Sequence, residues 1–291
     1  MVNYVIYIIL FVSLILSGCY NQDKYAATIS GTILFRNPQA DSSSVISGSE
    51  LYFLDPKTTT LTPVGIDGGK ARFAGTKDKI ITGGSNNTLV IVDITTKQET
   101  IIYQSNSERF SLGSYSIAWA NENYVSLIED DTLKLINIKT GEIQELVNNV
   151  MSDSHSWCNG DTVYYTQIKS NEPNNAYIYS LNIITGKKQM ICEGIRPRIS
   201  YNGKTLVYST LDGDQKTIVR DMESGKEWSN TISYFHCPSP DGRYVVLVKP
   251  AMGIGLNDGY TVYVWDYMKN KLHTVVSRYT NGQCFDIDWI N

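Results

Sequence analysis

Several sets of side chains in this 291-residue chain could do chemistry by type and spacing. Asp286 and Asp288 are two apart in Phe285-Asp-Ile-Asp-Trp289, so on a strand they share one face. Paired carboxylates can exchange protons with a substrate; capping the backbone of a neighbouring unit is the simpler role. His155 and His236, two of three histidines, sit in segments that read as strands and invite a shared metal. The next turn glycine comes five residues after His155 (Gly160) and six after His236 (Gly242), which places the rings on opposite strand faces and argues against a joint site. Arg196 and Arg198, in Gly194-Ile-Arg-Pro-Arg198, carry forked donors that could grip a carboxylate or phosphate, and Tyr234 is a residue type common at interfaces. Trp119, Trp157 and Trp289 each stand just before a turn. That shared register suits either an aromatic platform for a carbohydrate or packing between repeated units, and packing explains it more cheaply.

Other motifs are missing. There is no G-x-S-x-G, no H-E-x-x-H and no phosphate loop, since Gly253-Ile-Gly255-Leu-Asn-Asp258 fails at its third glycine. Asp212-Gly-Asp214 opens like a calcium loop but lacks the ligands that should follow. No C-x-x-C or Cys/His cluster has zinc spacing, so neither a metal nor a cofactor is expected. Cys158, Cys192, Cys237 and Cys284 could form two disulfides in three connectivities or stay as four thiols. A net charge of −4 without a basic run offers no surface for nucleic acid.

The elements that position these residues follow from a repeat. Twenty Tyr in a chain that is 42% hydrophobic lean towards strands with an ample core. An alternating strand, an Asp or Asn, a tight turn and a second strand recur six times. The instances are Leu51-Tyr-Phe-Leu-Asp55, Leu89-Val-Ile-Val-Asp93, Leu133-Lys-Leu-Ile-Asn137, Tyr177-Ile-Tyr-Ser-Leu-Asn182, Ile218-Val-Arg-Asp221 and Val262-Tyr-Val-Trp-Asp266. The anchoring residues are 38, 44, 45, 39 and 45 apart. Each hairpin after the first follows another with its own turn, at Thr76–Lys79, Asn121–Asn123, Asn159–Asp161, Asn202–Lys204 and Ser239–Arg243. Four strands at this period predict an all-β fold, a six-bladed β-propeller of four-stranded antiparallel blades. The first unit lacks one strand, and the C-terminal Phe285–Ile290 supplies it, closing the ring beside Ile29–Phe35.

Ser239-Pro-Asp-Gly-Arg-Tyr244, followed by an apolar strand, resembles the repeat of TolB-like, WD-type bacterial propellers. Other units keep degenerate forms such as Asn202-Gly203-Lys204, and nothing corresponds to the N-terminal α/β domain of TolB. The resemblance implies a fold; propellers host many chemistries.

The first residues are of another kind. Tyr4 to Leu16 is almost wholly apolar, too short to span a bilayer and suited to the core of a signal peptide. The n-region Met1-Val2-Asn3 lacks Lys and Arg. Leu16-Ser17-Gly18-Cys19 resembles the lipobox of bacterial lipoproteins. That resemblance implies a signal peptide over residues 1–18, a diacylglyceryl thioether on Cys19 with acyl chains such as palmitate, a linker over 19–27 and a propeller over 28–291. It implies a membrane partner through the lipid, and a place in the cell envelope.

In up-and-down blades the second and between-blade connections share one face of the disc. Ser85–Asn87 and Glu129–Asp131 are minimal second connections, whereas Asn37–Ser49, Lys169–Asn175, Thr210–Lys216 and Lys249–Gly259 are long and belong to consecutive units. That face is the expected partner site, with Arg196, Arg198, Tyr234 and the loop Met252–Tyr260 near its rim. The function expected is a non-catalytic scaffold that binds another envelope protein, a small ligand or a glycan. The alternatives are an extracytoplasmic lyase or hydrolase acting on glycans, and an accessory or sensor subunit of an envelope complex.

Overall fold

Leu206, Val207 and Tyr208 are consecutive and all buried, yet they fill two different cores. Successive side chains on a strand point to opposite faces, and here both faces are covered by neighbouring blades. The structure, a computed structural model, describes residues 29–38, 49–67, 70–107, 116–158, 160–169, 172–211, 216–232, 235–250, 260–278 and 287–291.

The described residues form six four-stranded antiparallel sheets and no helix. Blade 1 holds β1 (Thr32–Pro38), β2 (Ser49–Asp55) and β3 (Thr60–Asp67), with β24 (Ile287–Ile290) as its innermost strand. Blade 2 is β4 (Ala71–Phe73), β5 (Lys79–Gly83), β6 (Thr88–Asp93) and β7 (Glu99–Gln104). Blade 3 is β8 (Ser116–Asn121), β9 (Tyr124–Glu129), β10 (Thr132–Asn137) and β11 (Ile143–Asn148). Blade 4 is β12 (Val150–Cys158), β13 (Thr162–Lys169), β14 (Glu172–Asn182) and β15 (Lys188–Glu193). Blade 5 is β16 (Ile195–Ile199), β17 (Thr205–Ser209), β18 (Thr217–Asp221) and β19 (Glu227–Asn230). Blade 6 is β20 (Phe235–Pro238), β21 (Val245–Pro250), β22 (Tyr260–Asp266) and β23 (Lys271–Arg278).

This is the six-bladed propeller that the repeat predicts, closed by the C-terminal strand. β24 pairs with β1 from Thr32↔Ile290 to Phe35↔Ile287. Six apolar clusters hold the ring, one at each blade-to-blade junction. The junction between blades 6 and 1 is among them, with Val246, Val262 and Val264 packed against Ile33, Leu54 and Trp289.

The recurring Asp or Asn has a local task. In each outer hairpin its side-chain oxygen accepts backbone N–H groups two or three residues on, as Asn137 does from Lys139 at 2.9 Å and Thr140 at 3.1 Å. Asp55, Asp93, Asn182, Asp221 and Asp266 do the same. The fourth residue after it takes a positive φ in all six turns: Gly141, Gly186 and Gly225, but also Thr59, Lys97 and Asn270. A β-branched residue at φ 58° is strained, so Thr59→Gly should stabilise the protein by about 1 kcal/mol. The urea midpoint reads this, and an unchanged or lower midpoint contradicts it.

Two sequence expectations are corrected. Residues 169–175 were expected to be a loop, but β13 and β14 continue past a register shift between Ile168 and Lys169 to the pair Lys169↔Glu172. The bulge absorbs the extra length as strand. The histidines, expected on opposite faces, share an orientation. His155 is hydrogen-bonded to Ser116 and Ser126 of blade 3, and His236 to the Arg196 carbonyl of blade 5. Each therefore faces the preceding blade. Counting back from the turn glycine misleads because the turns differ: Cys158 pairs with Thr162, whereas the Ser239 N–H reaches the Tyr244 carbonyl. Cys158, Cys192 and Cys237 are free thiols, and Cys284 lies outside the described residues.

Candidate functional site

The last residues of the six innermost strands converge on the axis. They enclose a cavity of about 550 Å³ whose wall includes Arg72, Trp119, Trp157, Arg198, Cys237 and Asp288. Gly75, Thr76 and Lys77, Gly160, Tyr201 and Pro240, all from first connections, also line it, so it opens on the face that carries those turns. The expected partner face, with the long second connections, is the opposite one.

The tryptophans owe their register to packing. The Trp157 Nε1–H donates to Ser126 Oγ of blade 3 at 2.7 Å. Trp289 donates to the Ser30 carbonyl at 3.1 Å. Trp119 lies over the turn of blade 2, where a Cβ on Gly75 would come within 2.7 Å of its Nε1; at φ 79° that glycine serves both the turn and the indole. All three indoles nevertheless border the cavity. Inter-blade packing and an aromatic wall are here one arrangement.

Asp288 lines the cavity, and its Oδ2 accepts the Phe73 N–H of blade 2 at 2.9 Å. That is the backbone cap weighed from its spacing. Asp286, its partner in that reading, lies outside the described residues, as do Tyr234, residues 251–259 and Cys19. Ser156 of blade 4 repeats the device three junctions on, accepting the Ile199 N–H of blade 5 at 2.8 Å.

The two arginines part company. Arg198 was expected at the rim of the variable-loop face. It lines the cavity instead, and its Nη2 donates to the Ile287 carbonyl of blade 1 at 2.9 Å. Arg196 sits at a bulge, between the pairs Ile195↔Ser209 and Arg198↔Val207, with φ 58°. Its guanidinium carbon is 5.8 Å from the Phe235 ring centre, close to blade 6. The bulge re-aims the side chain, so residues two apart do not act as a pair.

His155 and His236 are buried behind this wall. Burial, joined by the positive charges of Arg198 and Arg72, holds the His155 ring at a pKa of about 3. Burial also depresses His236 to about 3, with Arg198 and Arg196 adding to it. Both rings are neutral structural groups at pH 7. Burial pushes the Cys237 thiol up to about 12, so it is not a ready nucleophile. Among the described residues no three His, Cys, Asp or Glu are placed to hold a metal ion.

Arg72 and Cys237 escaped the motif search, yet both line the cavity. The signal was register: each occupies, in its own blade, the position that Asp288 holds before Trp289.

No protein-family profile and no curated protein matches the sequence. Solved structures do match. TolB from Acinetobacter baumannii superposes with a TM-score of 0.72 at 12% identity, covering 89% of this chain and 66% of TolB. This chain thus spans just under two thirds of that protein. A chain of a nidogen/laminin complex gives a TM-score of 0.64 at 10% identity, with 89% of this chain and 98% of that one covered. Oligogalacturonate lyase in complex with manganese gives 0.52 at 15% identity, over 83% and 77% of the two chains. These likenesses are of fold.

Proposed function

We propose that the protein is a lipoprotein of the cell envelope whose propeller is a non-catalytic binding module for another envelope protein or a small ligand. Residues 1–18 are a signal peptide, Cys19 carries the lipid, and a short linker over 19–27 leads into the ring. The observation that carries the binding reading is the axial cavity, built by all six blades and open to one face. A catalytic reading finds less support: the one described acidic side chain in the cavity wall, Asp288, holds a backbone N–H, and the histidines are sealed away. The nidogen/laminin structure is a propeller-like neighbour in a protein complex, which agrees with partner binding. The anchor rests on the apolar Tyr4–Leu16 segment and Leu16-Ser17-Gly18-Cys19. Among the described residues no helix is long and apolar enough to cross a membrane.

Two measurements test this. Labelling with a fatty-acid probe should mark the wild-type chain and leave Cys19→Ala unlabelled, unprocessed and washed from membranes. Equal label in the variant removes the lipoprotein reading. Affinity capture from detergent-solubilised membranes, followed by mass spectrometry, should recover a partner or a small ligand with the wild-type chain. Turnover of a glycan by the purified protein would overturn the non-catalytic reading.

A further inference from the structure

The chain enters the ring on the face where the cavity opens. Thr32, the first residue of β1, pairs with Ile290 at the end of β24, and the Trp289 indole N–H holds the Ser30 carbonyl just before it. Ile29 is buried in the cluster between blades 6 and 1, so the chain is fixed from that point on. Ile29 lies ten positions after Cys19. Ten residues fully extended reach at most about 36 Å. The way round to the opposite face is about 10 Å across blade 1 and about 26 Å along the eight residues of β3. A lipid on Cys19 would spend its whole reach on that path, whereas the face with the cavity mouth needs little of it.

That same face carries the three most exposed large apolar side chains among the described residues. Tyr201, 75% exposed, is in the first turn of blade 5. Ile184 at 73% and Met268 at 67% are in the outer turns of blades 4 and 6. These blades are consecutive, and blade 6 adjoins blade 1, where the chain enters. Turn chemistry does not call for an apolar residue here: the positions matching Ile184 and Met268 are Lys57, Thr95, Lys139 and Glu223 in the other blades. Their less exposed counterparts towards the opposite face are Ile168 and Leu211. In the turns 159–161, 182–188, 201–204, 221–227, 239–243 and 266–271, seven Lys and Arg stand with six Asp and Glu. The turns of these three blades are therefore close to neutral, in a chain of net charge −4, and do not repel a lipid surface.

We infer that this face docks on the lipid bilayer, with Ile184, Tyr201 and Met268 set into the headgroup region and the cavity mouth turned towards the membrane. The inference rests on the anchor at Cys19 and adds the orientation of the ring upon it. A lipid tether fixes distance; three protruding side chains on one face fix attitude. Ile and Met lose exposed apolar area on entering the interface, and a Tyr ring with its polar tip suits that depth. Lys187, Lys204 and Lys269, all exposed and close in sequence to the three, can lay their stems along the boundary and keep their ammonium groups in water. So small an apolar area suffices because the tether already holds the face at high effective concentration. The long second connections then point away from the membrane.

The test is a lysine footprint on the full chain, purified from cells grown with a fatty-acid probe and inserted from outside into phosphatidylcholine vesicles. A water-soluble acetylating ester is added and each lysine is followed by mass spectrometry. Every site is compared with itself in the variant that combines Ile184→Ser, Tyr201→Ser and Met268→Ser; all three are exposed, and thermal melting checks the fold. Lys187, Lys204 and Lys269 should react about fivefold or more slowly in the wild type than in the variant. Lys216 and Lys249, towards the opposite face, should react equally in both. A second readout needs no serine variant. The fluorescence added by Tyr201→Trp should be quenched by phosphatidylcholine brominated on its acyl chains, and that added by Leu211→Trp should not. Turn lysines equally open in both chains, slowing at Lys216 and Lys249 instead, or equal quenching at positions 201 and 211 overturns the inference. The label on Cys19 separates it from the anchor. A labelled chain with open turn lysines keeps the anchor and removes the docking. An unlabelled chain whose turn lysines are still slowed on vesicles keeps the docking and removes the anchor, and one that is neither labelled nor slowed removes both.

Discussion

Deleting residues 287–291 is expected to cost the protein its closed ring, leaving a chain that aggregates or melts far below the intact one. The segment is only β24 and the residue after it, but it carries four kinds of contact. It pairs with β1 at four positions, buries Ile287 and Trp289 between blades 1 and 6, caps the Phe73 N–H through Asp288 and receives Arg198 at the Ile287 carbonyl. Loss of a large buried aromatic alone costs about 3–5 kcal/mol. Total stability is usually about 5–15 kcal/mol, so the deletion removes a large share of it and opens a sheet edge beside the axis. Trp289→Ala is the milder form, and it should lower the melting temperature by roughly 6–20 °C. A deletion variant that melts with the wild type would mean that the ring is held without its last strand.

Acid should loosen the fold well before its carboxylates titrate. His155 and His236 are neutral in the folded protein, each held at about 3, whereas in the unfolded chain each takes up a proton near 6.5. Between those values the unfolded state binds more protons, so stability is complete above about pH 6.5 and falls as the pH drops towards 3. Each ring should withdraw about 2 kcal/mol between pH 7 and pH 5. Burial also depresses His273, in the same direction. Asp55, Asp93, Asp221 and Glu129 are depressed from ordinary values near 4, so they act at lower pH and do not blur this window. Urea midpoints at pH 7 and pH 5 and constant ionic strength read the effect. His236→Gln should remove a large part of the difference, and a stability that is flat between these pH values contradicts it.

The blade count, the turn chemistry and the closing strand were legible in the sequence because they are local and repeated. Asp or Asn at the end of the third strand of each blade makes the same side-chain-to-backbone bonds in all six turns, and such bonds depend only on neighbours in the chain. Period-two alternation and a spacing of 38 to 45 residues are likewise written along the chain. Closure was legible because Trp289 repeats the setting of Trp119 and Trp157, so the odd strand declared where it belonged. The Asp288 cap followed from the same register.

Tertiary structure decided where the chemistry gathers. Arg196 and Arg198 look like a pair along the chain, but a bulge sends Arg196 towards Phe235 and leaves Arg198 in the wall of the axial cavity, bonded to the Ile287 carbonyl. The orientation of His155 and His236 hung on the difference between two hairpin turns, which no single spacing reports. The cavity opens on the face of short uniform turns, although long variable loops drew attention to the other. Repetition tells a sequence reader what each blade is. Which residues meet at the axis depends on bringing six blades round a circle, and that is a property of the closed ring alone.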